Sequence, residues 1–225
     1  MCPEITLFDV KRFSNLISLD LLNQLKEDFY KNCTNTWPGR RFYSDLTIAQ
    51  NLLQPILQEL LPGDWIVDGG NYFETDRPYR LHCDSGKHSP KHLYYNIVIP
   101  IEFWADQYNE ELNKLIITDQ KWYGDAAFFV KGDISKNEYN ICITDYDEVE
   151  NLQLGFDKEL IAHCDHLNQQ NLEGFSVKSI VSWNPGDIIL FKRNFIHVTS
   201  NWKRAGVHKK LGLSLFTSYN IPGSI

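Results

Sequence analysis

Paired cysteines are missing from this chain. Its five cysteines, Cys2, Cys33, Cys83, Cys142 and Cys164, are scattered with no CxxC spacing. That argues against both a zinc knuckle and a disulfide framework, and an odd set of lone thiols fits a reducing interior. A basic excess is missing too: 22 Lys and Arg face 29 Asp and Glu, for a formal net charge of −7. Nucleic-acid binding by phosphate neutralisation is therefore disfavoured, a local basic patch apart. The longest apolar stretch, around Leu93–Ala105, is short and interrupted, whereas a membrane-spanning helix needs about 20 apolar residues. The amino end, MCPEITLFDVKRF, has no signal-peptide apolar core. These absences lead to the expectation of a soluble, cytoplasmic protein with no membrane partner. No internal repeat, low-complexity tract or linker divides the chain.

What is present is enough apolar material for one substantial core. A chain of 225 residues with 43% hydrophobic content is expected to form a single domain over 1–225. Thirteen Phe, eleven Tyr and six Trp favour a β-containing globule over a helical bundle or a disordered chain.

The amino-terminal part, about 1–62, reads as helical. Ser18 is placed to cap a helix through about Tyr30, with Leu21, Leu22, Leu25 and Phe29 on one stripe. Lys31–Tyr43 reads as an irregular connection. Ser44 or Asp45 is placed to cap a second helix carrying Leu46, Ala49, Leu53, Ile56 and Leu60, with Pro55 kinking it or starting a fresh turn. From Trp65 the pattern changes to short extended runs: 65–67, 71–74, 79–83, 93–103, 114–118, 126–130, 139–144, 176–183, 187–191, 196–200 and 209–219, with the polar 85–91 between two of them. A helix is expected over 157–172. Two helices followed by many short strands imply helices packed on a β-sandwich or barrel.

Tyr79-Arg80-Leu81-His82-Cys83-Asp84 carries the chemistry. In an extended segment side chains alternate, so His82 and Asp84 point the same way. A second imidazole would complete a set of two histidines and one carboxylate, which suits Fe(II) because it leaves the opposite coordination positions free. His163-Cys164-Asp165, with His166 beside it, repeats the spacing. Its surroundings are helical, however, and residues two apart on a helix point about 200° apart. It also lies too close to His197 in sequence for core strands to intervene.

With these residues in hand, the chain resembles the Fe(II)/2-oxoglutarate-dependent dioxygenases over about 65–220. His82-Cys83-Asp84 matches the proximal pair. Pro185-Gly186-Asp187-Ile188-Ile189-Leu190-Phe191 resembles the turn and strand before the distal histidine, which His197 supplies. Lys210-Leu211-Gly212-Leu213-Ser214-Leu215-Phe216 resembles the terminal core strand. The resemblance implies a mainly β fold with some α: a double-stranded β-helix (jelly roll) behind amino-terminal helices, with an insertion at about 104–175. It implies Fe(II) on His82, Asp84 and His197, with 2-oxoglutarate and O2 as cosubstrates.

The far carboxylate of 2-oxoglutarate would fall to Lys210 and Ser214, because an uncompensated charge in an apolar barrel is costly. Lys210, Gly212 and Ser214 share a strand face, with Gly212 leaving room between the other two. Lysine is a departure from the family's usual arginine; Lys209 is the runner-up, ahead of Arg204 and Arg193. Tyr72, ten positions before His82, and Asn96, on one face with Tyr94, are further candidates for cosubstrate contact. Arg80, on the face of His82 and Asp84, is a candidate for holding a substrate carboxylate.

The implied activity is hydroxylation of an unactivated C–H bond with release of succinate and CO2. An intact Asp84 fits hydroxylation, since related halogenases have a small residue there. A small molecule such as an amino acid or a natural-product intermediate is the first expectation for the substrate. A protein side chain, or a cupin-like metal site not using 2-oxoglutarate, are the alternatives. Residues 31–43 and 104–175, with Trp37, Trp104, Trp122 and Tyr123, are expected to rim the mouth. Oligomeric state is left open.

Overall fold

Strands outweigh helices in the structure, a computed structural model that describes residues 8–33, 35–37, 40–43, 45–84, 92–131, 142–143 and 146–220, as backbone alone at 35–37, 40–43 and 142–143. In order these are β1 (Val10–Phe13), α1 (Leu19–Asn32), β2 (Asn35–Trp37), β3 (Arg40–Tyr43), α2 (Thr47–Leu60), β4 (Trp65–Thr75), β5 (His82–Cys83) and β6 (Leu93–Ala105). Then come β7 (Lys114–Lys121), β8 (Ala127–Phe129), β9 (Cys142–Ile143), α3 (Lys158–His163), β10 (Val177–Ser182), β11 (Ile188–Lys192), β12 (Phe195–Thr199) and β13 (Val207–Tyr219).

The strands form two sheets. The larger runs β1-β11-β6-β13-β4-β3-β2 and the smaller β10-β7-β12-β5-β8-β9. β13 is the spine of the larger sheet, pairing antiparallel with β4 on one side and β6 on the other. Two sheets face to face with helices behind one of them form the jelly roll that the resemblance implies.

Alternation along the central strands sorts side chains between two cores. Leu211, Leu213 and Leu215 of β13, with Ile97, Ile99 and Ile101 of β6, face outward and meet Leu25, Phe29, Leu53 and Leu57 of the helices. The opposite face presents Val98, Ile189 and Phe191 to Leu115, Ile117, Val181 and Phe195 of the smaller sheet. A third cluster, around Trp122, Phe129, Leu160 and Phe175, covers the outer side of that sheet.

Helix α1 starts as its cap residue predicts: the Ser18 hydroxyl accepts from the Leu21 N–H at 3.2 Å. For α2 the Asp45 carboxylate accepts from the Thr47 N–H at 3.1 Å, and Ser44 lies outside the described residues. Pro55 sits on the exposed side of α2, which continues unbroken to Leu60.

Several local expectations are corrected. β1 was not anticipated; it adds an edge strand to β11 and is tied by Arg12, whose Nε donates to the buried Asp187 carboxylate at 2.6 Å. β2 pairs antiparallel with β3, and β3 with β4, extending the larger sheet, so the amino-terminal part is not purely helical. β4 is one strand across Gly69-Gly70, with a register shift against Phe216 and Thr217. Residues 79–81 are not strand, leaving β5 at two residues. Residues 157–172 break into α3 and a separate 3-10 turn at Gln169–Leu172. β7 pairs with both β10 and β12, so 114–121 belongs to the core rather than to an insertion. The polar 85–91, and most of 139–144, lie outside the described residues.

Candidate metal centre

His82 and His197 are direct register partners on β5 and β12, which sets their side chains on one face of the smaller sheet. Their ring centroids lie 4.0 Å apart. Asp84 follows β5 and turns its carboxylate to both: His197 Nε2 is 3.2 Å from Asp84 Oδ2, and His82 Nε2 is 3.8 Å from Asp84 Oδ1. One ligating atom from each residue lies within 4.8 Å of the others. Among the described residues this is the one group of three or more His, Cys, Asp or Glu close enough to share an ion.

The far ring nitrogens are engaged. His82 Nδ1 lies 2.8 Å from the Arg80 carbonyl and His197 Nδ1 lies 3.2 Å from the Phe195 carbonyl. A carbonyl only accepts, so each Nδ1 carries a proton and each Nε2 is the nitrogen turned inward, free to ligate. Burial, helped by the neighbouring His197, lowers the His82 pKa to about 4 despite the pull of Asp84, so the ring is neutral at pH 7. Burial pushes the Asp84 pKa up, but His82, His197 and Arg193 together outweigh it and hold the carboxyl below its usual range. Two imidazoles turning Nε2 inward and a carboxylate converging on one point are a donor set for a divalent cation.

These residues open onto a cavity of about 120 Å³ between the two sheets, whose wall includes Asn71, Phe73, Thr75, Arg77, Tyr79, Trp183, Thr199, Trp202, Lys210, Ser214 and Phe216. Lys210 is 2% exposed, and its ammonium has no hydrogen-bond partner among the described residues. It sits over the rings of Trp183 and Trp202, 4.5 and 5.1 Å from their centroids. Burial lowers its pKa well below the usual lysine value. Lys209, on the opposite face, pairs with Glu74 at 3.2 Å and lies 3.9 Å from the Trp104 ring centroid.

The other sequence candidates divide. Ser214 lines the cavity. Its register partner is Val98, two positions from Asn96, and Asn96 donates to Asp84 Oδ2 at 3.4 Å while its own Oδ1 is buried without a partner among the described residues. Ser214 thus lies between the level of Asp84 and that of Lys210. The room left by Gly212 is taken by Phe73, whose Cζ would be 2.5 Å from an added Cβ.

Tyr72 is a correction. It points to the helix side of β4, where its hydroxyl donates to Asp28 at 2.9 Å, because alternation that puts Asn71 and Phe73 in the cavity must send Tyr72 the other way. Tyr94 likewise donates to the Pro62 carbonyl at 2.6 Å. Arg193 chelates Asp68, and Arg204 pairs with Asp165. Arg80 is not part of the cavity wall, and Arg77 is.

Trp104, Trp122 and Tyr123 are also absent from that wall. Trp122 is buried, with its indole N–H donating to the Asp125 carbonyl at 2.7 Å, and the Trp37 side chain lies outside the described residues. The indoles that do line the cavity are Trp183 and Trp202, buried beside Lys210 rather than set at a mouth. Nothing local in the sequence marks them, since their place follows from strand pairing across the sandwich. In the repeated His-x-Asp, α3 ends at His163 and His166 Nε2 lies 3.3 Å from the Tyr79 carbonyl.

No protein-family model and no curated protein matches the sequence. Solved structures do match in fold. HygX from Streptomyces hygroscopicus, with nickel and 2-oxoglutarate bound, superposes with a TM-score of 0.52 at 11% identity, covering 95% of this chain and 84% of that one. The non-heme alpha ketoglutarate dependent epimerase SnoN from nogalamycin biosynthesis gives 0.52 at 8% identity, covering 96% and 87%. At such identities the likeness is one of fold: the chain has the jelly-roll architecture of iron and 2-oxoglutarate-dependent oxygenases and resembles them in it.

Proposed function

We propose that this chain is a non-haem Fe(II)/2-oxoglutarate-dependent dioxygenase that hydroxylates a C–H bond of a small molecule. The observation that carries this reading is Lys210 Nζ, buried without a hydrogen-bond partner among the described residues in the cavity onto which His82, Asp84 and His197 open. Burying a cation costs several kcal/mol, and two indole faces return only about 2 kcal/mol or so each. A dianionic ligand with one end at the metal ligands and the other at Lys210 would offset that cost. A metal-binding jelly roll that did not use 2-oxoglutarate would have no need of the lysine.

His82 Nε2, Asp84 and His197 Nε2 would hold the ion. Iron with O2 and 2-oxoglutarate supplies the oxidising power, giving succinate and CO2 beside the product. The chain's own part is to bind, orient and dehydrate. The Arg80 and Phe195 carbonyls keep both imidazoles in the tautomer that presents Nε2. Lys210 receives the far carboxylate in a site dried by Trp183 and Trp202, where low dielectric strengthens the attraction. Ser214, at an intermediate level, contacts the cosubstrate along its length rather than sharing the terminal carboxylate. Asn96 steadies Asp84 from behind. No side chain is required as a general acid or base. That the substrate is small accords with the hygromycin B bound to HygX in one structure and the nogalamycin RO bound to SnoN in another.

Anaerobic titration of the Fe(II)-reconstituted protein with 2-oxoglutarate tests the reading. A weak charge-transfer absorbance should appear, vanish in His197→Ala and Asp84→Ala, and require at least about 100-fold more 2-oxoglutarate in Lys210→Met. Unchanged titration of Lys210→Met, or substrate-dependent succinate release persisting in either ligand variant, would remove the assignment.

A further inference from the structure

Beyond the metal ligands the described cavity wall carries two basic side chains, Lys210 and Arg77, and no second acid. This is unexpected in a chain of net charge −7, where a random wall would favour carboxylates. The two cations differ in setting. Lys210 is sealed in, whereas the Arg77 side chain is 52% exposed, and its one side-chain hydrogen bond among the described residues is a long contact of 3.5 Å to the neighbouring Asp76. Its backbone is fixed all the same: the Arg77 N–H donates to Thr75 Oγ1 and its carbonyl accepts from the same hydroxyl. The guanidinium therefore stands at the rim on a rigid base with its donors other than Nε unspent among the described residues.

Charge balance gives it a task. On the reading proposed above, a divalent ion with Asp84 leaves one positive charge and Lys210, protonated against the far carboxylate, adds another, and the 2-oxoglutarate dianion cancels both. Arg77, met among the described residues only by the long contact to the half-exposed Asp76, is the basic group left over on the wall. We infer that the substrate carries a carboxylate, which Arg77 receives at the mouth through its planar pair of donors. Tyr79 supports the body of the same molecule. Its ring lies between Arg77 and the metal ligands in sequence, lines the cavity, and meets the His82 ring edge-on at 4.6 Å between centroids. Phe73 and Phe216 complete an apolar wall. A carboxylate at Arg77 and an apolar body across Tyr79 would bring a C–H bond of the same molecule toward the metal ligands. This inference rests on the dioxygenase reading and narrows it to acids.

The test uses matched pairs of small carboxylic acids and their primary amides, N-acetyl amino acids and arylalkanoic acids among them. They are offered to the Fe(II) protein with 2-oxoglutarate and scored by succinate release. Binding to the Co(II)-substituted protein with 2-oxoglutarate is followed in parallel by its visible absorption. Acids should stimulate turnover and perturb the spectrum where their amides do not. Arg77→Gln should weaken that response about 10- to 100-fold, Arg77→Lys should recover part of it, and the 2-oxoglutarate midpoint should stay within about two-fold in both. An unchanged melting temperature confirms that the rim variant is folded. Amides equal to acids, an acid preference surviving Arg77→Gln, no acid perturbing the spectrum, or a parallel loss of 2-oxoglutarate affinity would each overturn the inference. Failure of 2-oxoglutarate to bind the wild-type metal centre would instead sink the dioxygenase reading itself.

Discussion

A neutral imidazole and a buried guanidinium decide how the centre behaves. His82 has a pKa near 4 in the fold because of burial and its neighbour, against about 6.5 in the unfolded chain. Between those values the unfolded state binds a proton that the folded state refuses, so stability is complete above about pH 6.5 and declines as pH falls toward 4. Urea midpoints of the metal-free protein should fall across that window, and less steeply in His82→Ala. A flat profile in the wild type would contradict the assigned environment.

Arg193 acts on the carboxylate. Its Nε donates to the Asp84 carbonyl at 3.2 Å, and its Nη1 chelates Asp68 at 2.7 and 2.8 Å and reaches Ser218 at 3.1 Å. It thereby ties β4, the end of β5, the turn between the sheets and β13 around the backbone of one ligand. Arg193→Met paired with Asp68→Leu, so that no carboxylate is stranded, should lower Co(II) affinity about 10- to 100-fold while the chain still folds. Metal affinity equal to wild type in the folded double variant would show that Asp84 holds its place unaided.

At the scale of elements, β4 and β13 together shape the cavity wall, and at Gly212 the two strands pack with no room to spare. An added Cβ would meet three atoms of the Phe73 ring at 2.5 to 3.1 Å, and that ring is cavity wall. Gly212→Ala should therefore cost about 1–3 kcal/mol as an overpacked site, visible as a lowered melting temperature, with Phe73→Leu in the same chain restoring most of the loss. No rescue would place the strain in the backbone instead. The expected opening between Lys210 and Ser214 was legible as a missing side chain; the neighbour that fills it was not.

For the whole molecule, the helices are a lid over one face of the larger sheet rather than an appendage. Leu25, Phe29, Leu53 and Leu57 cover Ile97, Ile99, Leu211, Leu213 and Leu215, and Tyr72 and Tyr94 bond into the helical layer and its end. A fragment beginning at residue 65 should expose that apolar face, bind anilinonaphthalene sulfonate strongly and lose cooperative unfolding. A fragment that melts sharply without binding the dye would make the β layer self-sufficient.

By itself the sequence determined what depends on near neighbours. The Ser18 cap, the apolar stripe of α1, the shared face of His82 and Asp84, and the opposite faces of Lys209 and Lys210 all follow from the fixed periods of helix and strand. Which face of each strand would look inward is not a local property, so Tyr72 was misdirected and Trp183 and Trp202 went unnoticed. Short strands such as β1, β2 and β5 carry too few residues for a period to show, and they exist because partners hold them. Only the tertiary structure set His197 beside His82, walled a lysine in with two indoles and left Arg77 rather than Arg80 at the mouth. Those contacts join residues far apart in the chain, where strand pairing and sheet packing, not the residue sequence nearby, decide what meets.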